Sequence, residues 1–142
     1  MRIVTARWMI VLAAMVAVGC GGDSDEPAAS ATTAGAASDQ RFPDVVDVRI
    51  EPSGEVFDVA VTLSSPYDTP ERYADAWRIL APDGEVLGER VLTHDHANEQ
   101  PFTRSLNGVE IPAEVQVVTI QGRDLVNGYG GGDAQVALPG RG

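Results

Sequence analysis

The sequence predicts an all-β fold, a single antiparallel β-sandwich of about seven strands across residues 42–139. Short apolar runs recur at near-regular spacing, with turn signals containing Pro or Gly between them. In the clearest run, apolar side chains occupy every second position from Phe57 to Leu63, which is the period of a half-buried strand. No amphipathic helix of convincing length interrupts this pattern. A closed barrel is the competing fold.

Each predicted strand rests on a local pattern of this kind. Val46, Val48 and Ile50 alternate with charged residues and predict the first strand. Tight-turn residues at 52–54 and 82–84 separate neighbouring strands. The strands are expected at 46–50, 57–63, 73–80, 85–93, 102–106, 115–121 and 134–138.

Two details of these strands are predicted as well. In the fourth strand, Val86 and Leu92 lie on one face of the alternation while Leu87 and Val91 lie on the other, so its buried face is ambiguous. A β-bulge near Gly88 would reconcile the two pairs and is expected there. In the connection 107–114, Val109 and Ile111 are expected to cap the core.

The third predicted strand carries Trp77, at the place where immunoglobulin-like domains bury a tryptophan. The chain resembles that architecture across residues 42–138, although it lacks the inter-sheet cysteine pair. The resemblance implies an immunoglobulin-like sandwich and no particular activity.

The N-terminal residues predict export. Arg2 and Arg7 precede an apolar run, 8–18, that is too short to span a membrane. The run ends in Ala17-Val18-Gly19-Cys20, which resembles the lipobox of bacterial lipoproteins. The resemblance implies that Cys20 receives a diacylglyceryl group and becomes the first residue of the mature chain. An ordinary cleaved signal or an uncleaved anchor is the alternative.

The predicted organisation follows from this motif. It comprises a signal peptide (1–19), the lipidated cysteine with a flexible linker (20–41), the sandwich (42–139) and a short tail (140–142). The resemblance implies a protein anchored to the bacterial cell envelope by the lipid on Cys20, facing the periplasm or the exterior. The membrane is then one partner, and an unidentified envelope protein or small ligand is the other.

Composition excludes several functions. The formal net charge is −11 and there is no lysine, so nucleic-acid binding is not expected. The three methionines all lie within the first 15 residues, and Cys20 is the only cysteine. The mature chain therefore lacks the sulfur ligands of blue-copper and methionine-type Cu(I) sites.

Antiparallel strands alternate their connections between the two ends of a sandwich. The polar loops 64–72, 94–101 and 123–133 should therefore meet at one end. Loops carried on a rigid sandwich are where recognition is usually found. We expect this loop end to present the binding surface of a non-enzymatic interaction module.

Both histidines lie in one of these loops. His94 and His96 are two residues apart, so in extended backbone their imidazoles project to the same side, and Glu99 follows closely. Imidazole with carboxylate suits Zn²⁺ or Cu²⁺, which makes a periplasmic metal-binding protein the alternative function. Hydrogen-bonding or solvent-facing loop histidines, or a pH-sensitive contact, stay open as other interpretations. Further carboxylates in the loops are candidates to complete the shell: Asp68, Glu71, Asp95, Asp124 and Asp133.

Two more side chains are candidate ligand-binding residues. Arg104 is expected either to bind a carboxylate or phosphate or to pair with an acidic neighbour. Tyr129, flanked by glycines, is a candidate to close over a ligand. No nucleophile elbow surrounds Ser105 and no phosphate-binding glycine loop is present, so an enzyme is not expected. A hydrolase with an acidic site is the third and weakest function class, and no cofactor is expected beyond the Zn or Cu(II) of the alternative.

Overall fold

The computed structural model describes residues 39–141. The predicted signal peptide, Cys20, most of the predicted linker and Gly142 lie outside these residues. Within them the chain forms strands in the following order. They are β1 (Asp44–Ser53), β2 (Val56–Ser64), β3 (Ala74–Leu80), β4 (Val86–Val91), β5 (Phe102–Val109), β6 (Val117–Asp124), β7 (Gly128–Tyr129) and β8 (Ala134–Ala137).

The strands of the described part form two antiparallel sheets. The first sheet has the order β1-β2-β5. The second has the order β4-β3-β6-β7, and β8 also pairs with β6. The predicted all-β antiparallel sandwich is therefore confirmed. No helix in residues 39–141 is both long and apolar enough to cross a membrane.

The core lies between the two sheets. Every second side chain of β2 points inward, and Val59, Val61 and Leu63 are fully buried, as their alternation predicts. Trp77 and Ile79 of β3 face them from the second sheet and are equally buried. Burying such a side chain stabilises the fold by about 1.5–3 kcal/mol, so this layer is the main source of stability. The predicted core caps Val109 and Ile111 are confirmed as buried.

The predicted bulge in the fourth strand is also confirmed. Ile79 pairs with Gly88 and Leu80 pairs with Val86, so Leu87 is the extra residue of β4. A Cβ atom at Gly88 would lie 3.0 Å from Cδ2 of Leu106. The missing side chain thus lets β5 of the first sheet approach β4 of the second.

The glycine-rich segment 123–133 is not the single loop that its composition predicts. β6 continues to Asp124, and the short strand β7 folds back against it through the pairs Asp124–Gly128 and Arg123–Tyr129. Gly128 has φ +83°, a left-handed conformation that glycine adopts without strain, and this makes the tight hairpin feasible. The described part of the chain therefore has eight strands where about seven were predicted. The sixth strand begins at Val117, two residues later than expected.

The polar loops meet at one end of the sandwich. The loop after β2 is joined to the loop before β5 by a hydrogen bond from the Ser65 amide to Oε1 of Gln100, 2.7 Å long. It is joined to the hairpin after β6 by an ion pair between Arg72 and Asp124. The tighter turns lie at the other end, beside a groove of about 860 Å³ whose lining includes Glu55, Glu85 and Glu110.

Candidate metal centre

The backbone around His96 is held by two polar side chains, Asp68 of the loop after β2 and Gln100 of its own loop. Asp68 accepts hydrogen bonds from the amides of His96 (2.9 Å) and Ala74 (3.1 Å). The side-chain amide of Gln100 donates to the carbonyl of His96 and to the hydroxyl of Ser65, both at 3.1 Å. The loop 94–101 is therefore fixed at His96 and exposed on either side of it.

The imidazole of His96 is buried between aromatic rings. Only 2% of the residue is exposed. Its ring stacks on Phe102, with centroids 3.8 Å apart and planes within 9° of parallel. The ring of His94 lies 4.7 Å away on the exposed side of the loop. Packing thus sets the orientation of the His96 ring, while His94 stays accessible to solvent.

The imidazole nitrogens of His96 have no hydrogen-bond partner among the described residues. Nδ1 lies 3.8 Å from Oδ2 of Asp68, and Nε2 lies 4.0 Å from Oε1 of Glu99. Both distances are too long for hydrogen bonds. Buried polar atoms are nearly always paired, because an unpaired one costs about 1–3 kcal/mol. His96 is therefore the candidate ligand-binding group of this loop.

His94, His96 and Glu99 form one cluster of ligand groups, since one nitrogen or oxygen atom from each lies within 4.8 Å of the others. Tetrahedral Zn²⁺ with bonds near 2.0 Å needs ligand atoms about 3.3 Å apart. His94 and Glu99 are exposed and able to close this difference, whereas His96 is fixed. Three protein ligands leave a fourth coordination position open to solvent.

The protonation states of Glu99 and His96 suit metal binding. Arg104 donates from Nη2 to Oε1 of Glu99 at 2.6 Å, and this hydrogen bond lowers the pKa of Glu99. Burial and the nearby positive charge of Arg104 lower the pKa of His96. The carboxylate is therefore ionised and the buried imidazole neutral at physiological pH, which are the forms that bind metal.

The other carboxylates proposed for the shell have different partners. Asp124 pairs with Arg72, and Asp133 accepts a hydrogen bond from Gln121 at 3.2 Å. Asp95 accepts one from the amide of Ala97 at 3.3 Å. Glu71 is exposed. Of the predicted carboxylates, Asp68 and Glu99 are the ones that the structure places within 4.0 Å of an imidazole nitrogen of His96.

Tyr129 is not brought to the histidines. Its hydroxyl donates to Oε2 of Glu89 at 2.6 Å, and the guanidinium of Arg78 lies 3.7 Å from its ring centre. These contacts are on the outer face of the second sheet. Burial and the bond to Glu89 raise the pKa of Tyr129 to about 12, so the hydroxyl stays protonated.

Sequence reasoning missed the residues that contact and position His96. Phe102 and Gln100 belong to a segment that is dense in polar groups around one aromatic, but nothing local indicates which partner they contact. Ser65 lies 35 residues from Gln100, and only the folded loop end brings them together.

Comparisons with known proteins were made in sequence and in structure. No known family model matches the chain. Over 94 residues it is 38% identical to a protein of Halomicrobium mukohataei named "Putative lipoprotein". The match covers 66% of this chain and 46% of that protein, so the chain spans about half the length of the curated relative that it matches.

A structural likeness is also found to a superoxide reductase from Giardia intestinalis. The match covers 67% of this chain and 99% of that one, at 13% identity and a TM-score of 0.43. A likeness at this level carries no argument about activity.

Proposed function

We propose that this protein is a lipid-anchored envelope protein whose sandwich binds a divalent transition-metal ion, Zn²⁺ or Cu²⁺. The ligands are His94, His96 and Glu99. The observation that carries the proposal is the buried imidazole of His96, whose nitrogens have no partner in the described part of the chain although two other ligand groups lie beside it.

The donor set selects the class of ion. Two neutral imidazoles and one carboxylate suit Zn²⁺ and Cu²⁺, whereas Ca²⁺ and Mg²⁺ prefer sites made of oxygen atoms alone. The position of Asp68 near Nδ1 of His96 supports coordination through Nε2, since metal-bound histidines usually direct their second nitrogen at a carboxylate or a carbonyl. We assign binding to this site and no reaction, in keeping with the predicted non-enzymatic module.

The lipid anchor is the second part of the proposal. The lipobox-like residues before Cys20 and the 38% identical relative named as a lipoprotein support it. At the first described residues, the side-chain amide of Gln40 donates to the carbonyl of Ser64, and Arg72 donates to the carbonyl of Gln40, so the chain joins the sandwich at the loop end. An anchored chain thus enters the sandwich on the side that carries the metal ligands.

Metal titration of the full-length protein in detergent micelles tests the binding site. We expect Zn²⁺ or Cu²⁺ to bind with a micromolar or lower Kd, and His96→Ala to weaken binding at least 100-fold. Glu99→Gln should also weaken binding, while Glu71→Gln, an exposed carboxylate on the neighbouring loop, is the matched control and should change nothing. Absence of binding heat together with an unchanged Tm overturns the metal site.

Mass spectrometry of the protein from its membrane tests the anchor separately. We expect a mature chain that begins at Cys20 and carries the added mass of acyl chains, and a Cys20→Ala variant that is released from the membrane. A mature product that retains residues 1–19, or an unmodified Cys20, overturns the anchor and leaves the metal site to be judged by titration.

A further inference from the structure

The carboxylate of Glu99 already binds a cation, the guanidinium of Arg104. Nη2 of Arg104 donates to Oε1 of Glu99 at 2.6 Å, and the same oxygen is the one that faces Nε2 of His96 at 4.0 Å. The oxygen that would reach the metal is therefore the oxygen that Arg104 holds.

We propose that Arg104 is a built-in competitor of the metal ion, which keeps Glu99 occupied in the metal-free protein and sets the affinity of the site. This inference rests on the metal-binding function proposed above. It adds a residue that tunes affinity without being a ligand, since a guanidinium has no lone pair to donate.

Two physical effects make Arg104 a competitor. A charge-assisted hydrogen bond of 2.6 Å is among the strongest that a carboxylate makes, and it must be lost or weakened when Oε1 turns to a metal. The guanidinium is also a positive charge within a few ångströms of the incoming dication, and only 28% of its side chain is exposed, so solvent screens this repulsion in part. Both effects weaken binding.

Arg104 is placed to return when the ion leaves. Nη1 donates to the carbonyl of Thr103 at 2.8 Å, and the guanidinium carbon lies 5.5 Å from the ring centre of Phe102. These contacts do not involve Glu99, so they hold the guanidinium near the site while the metal is bound. Competition of this kind speeds release of the ion as well as lowering affinity.

Zinc titration and zinc release by the full-length protein in micelles test the proposal. We expect Arg104→Gln to bind Zn²⁺ about tenfold more tightly than the wild-type protein, and to release it more slowly to a fluorescent chelator. Arg104→Lys, which keeps the charge without the planar fork, should fall between the two. Arg49→Gln is the matched control, because Arg49 makes a similar bond of 2.5 Å to Glu51 on the first sheet, and its loss should leave affinity within twofold.

A double-mutant cycle with Glu99→Gln assigns the effect to the pair. If Arg104 acts by holding Glu99, the gain from Arg104→Gln should largely disappear when Glu99 is already replaced. Unchanged or weaker Zn²⁺ binding by Arg104→Gln, against measurable binding by the wild-type protein, overturns the competitor role and leaves the metal site standing. No binding by either protein overturns both.

Discussion

Asp124 and His96 are two polar side chains at the loop end that are equally removed from solvent and bonded in opposite ways. Asp124 is fully buried and accepts hydrogen bonds from Arg72 and from the amides of Val126 and Asn127. His96 is as deeply buried, and its two nitrogens have no partner within residues 39–141. The carboxylate of Asp124, with its hydrogen-bond partners, holds the loops together. The imidazole of His96 lacks such partners, so a bound ligand would supply an interaction that the described residues do not.

The pKa values of the two groups follow the same contrast. Burial alone would raise the pKa of Asp124, but hydrogen bonds from Asn127 and Val126 outweigh it and lower the pKa overall. Burial also disfavours the charged form of His96, and no hydrogen bond in the described chain opposes it, so its pKa is lowered too. The fold therefore keeps Asp124 charged and His96 neutral. The charged Asp124 and its hydrogen bonds, here called the Asp124 bracket, stabilise the loops, and the neutral imidazole of His96 is in the form that binds a metal ion.

Of the substitutions considered, removal of the Asp124 bracket should have the largest effect on the free energy of unfolding. Asp124→Ala leaves Arg72 and two backbone amides without their acceptor, and we expect the free energy of unfolding to fall by about 3 kcal/mol. The Zn²⁺ affinity of the folded variant should change by no more than about threefold, because the hydrogen-bond partners of Asp124 do not include His94, His96 or Glu99. Urea unfolding of the metal-free protein measures the first effect and titration measures the second.

Asp133→Ala is the control for that prediction. Asp133 is exposed and accepts one hydrogen bond from Gln121, so its loss should change stability by less than about 0.5 kcal/mol. If Asp124→Ala proved equally harmless, the view of Asp124 as a structural bracket would be wrong.

Replacement of the His96 imidazole should abolish tight Zn²⁺ binding without lowering the stability of the metal-free protein. His96→Leu keeps an apolar body of similar size and removes two polar atoms that lack partners, so metal-free stability should stay unchanged or rise by up to about 3 kcal/mol. The same change should weaken Zn²⁺ binding at least 100-fold. Denaturation without metal and titration with it are the measurements. A loss of more than about 2 kcal/mol would mean that His96 serves the core, and the contrast with Asp124 would disappear.

The sequence predicted the strands and their buried faces well, because these depend on the alternation of neighbouring residues. The alternation from Phe57 to Leu63 states which face of β2 is buried, and Trp77 is buried on β3 as expected. The pair His94 and His96 was also predictable as a pair, since a spacing of two residues is a local property. The alternation of connections was enough to bring the polar loops to one end.

Which histidine is buried could not be predicted, because that depends on contacts that form only in the folded loop end. His96 is buried by its stacking on Phe102 and by the bond of its amide to Asp68, which is 28 residues away. The position of Tyr129 could not be predicted for a related reason. A glycine-rich segment resembles a mobile loop, but Gly128 folds it into a hairpin that carries Tyr129 along the outer face of the second sheet.

Acid should reduce the stability that the Asp124 bracket contributes, because protonation removes the charge of Asp124. A carboxyl group whose folded-state pKa is lowered contributes stability above its unfolded pKa, near 3.9, and this stability is lost as pH falls through the folded pKa. We expect the stability difference between wild type and Asp124→Asn to be constant above about pH 5 and to shrink below pH 4. Urea midpoints between pH 2 and 6 measure it. A difference that stays constant down to pH 2 would show that the charge of Asp124 does not stabilise the loops.

The smallest expected effect comes from Tyr129, and it decides whether the metal centre extends beyond the loop end. Tyr129→Phe removes one hydroxyl that donates to Glu89 and keeps the ring against Arg78. Because a partly exposed hydrogen bond contributes about 1 kcal/mol or less, stability should fall by no more than that, and Zn²⁺ affinity should stay within twofold. Denaturation and titration of this single variant are sufficient. A loss of Zn²⁺ affinity above about threefold would instead return Tyr129 to the ligand site, through a movement of the β6–β7 hairpin toward the histidines.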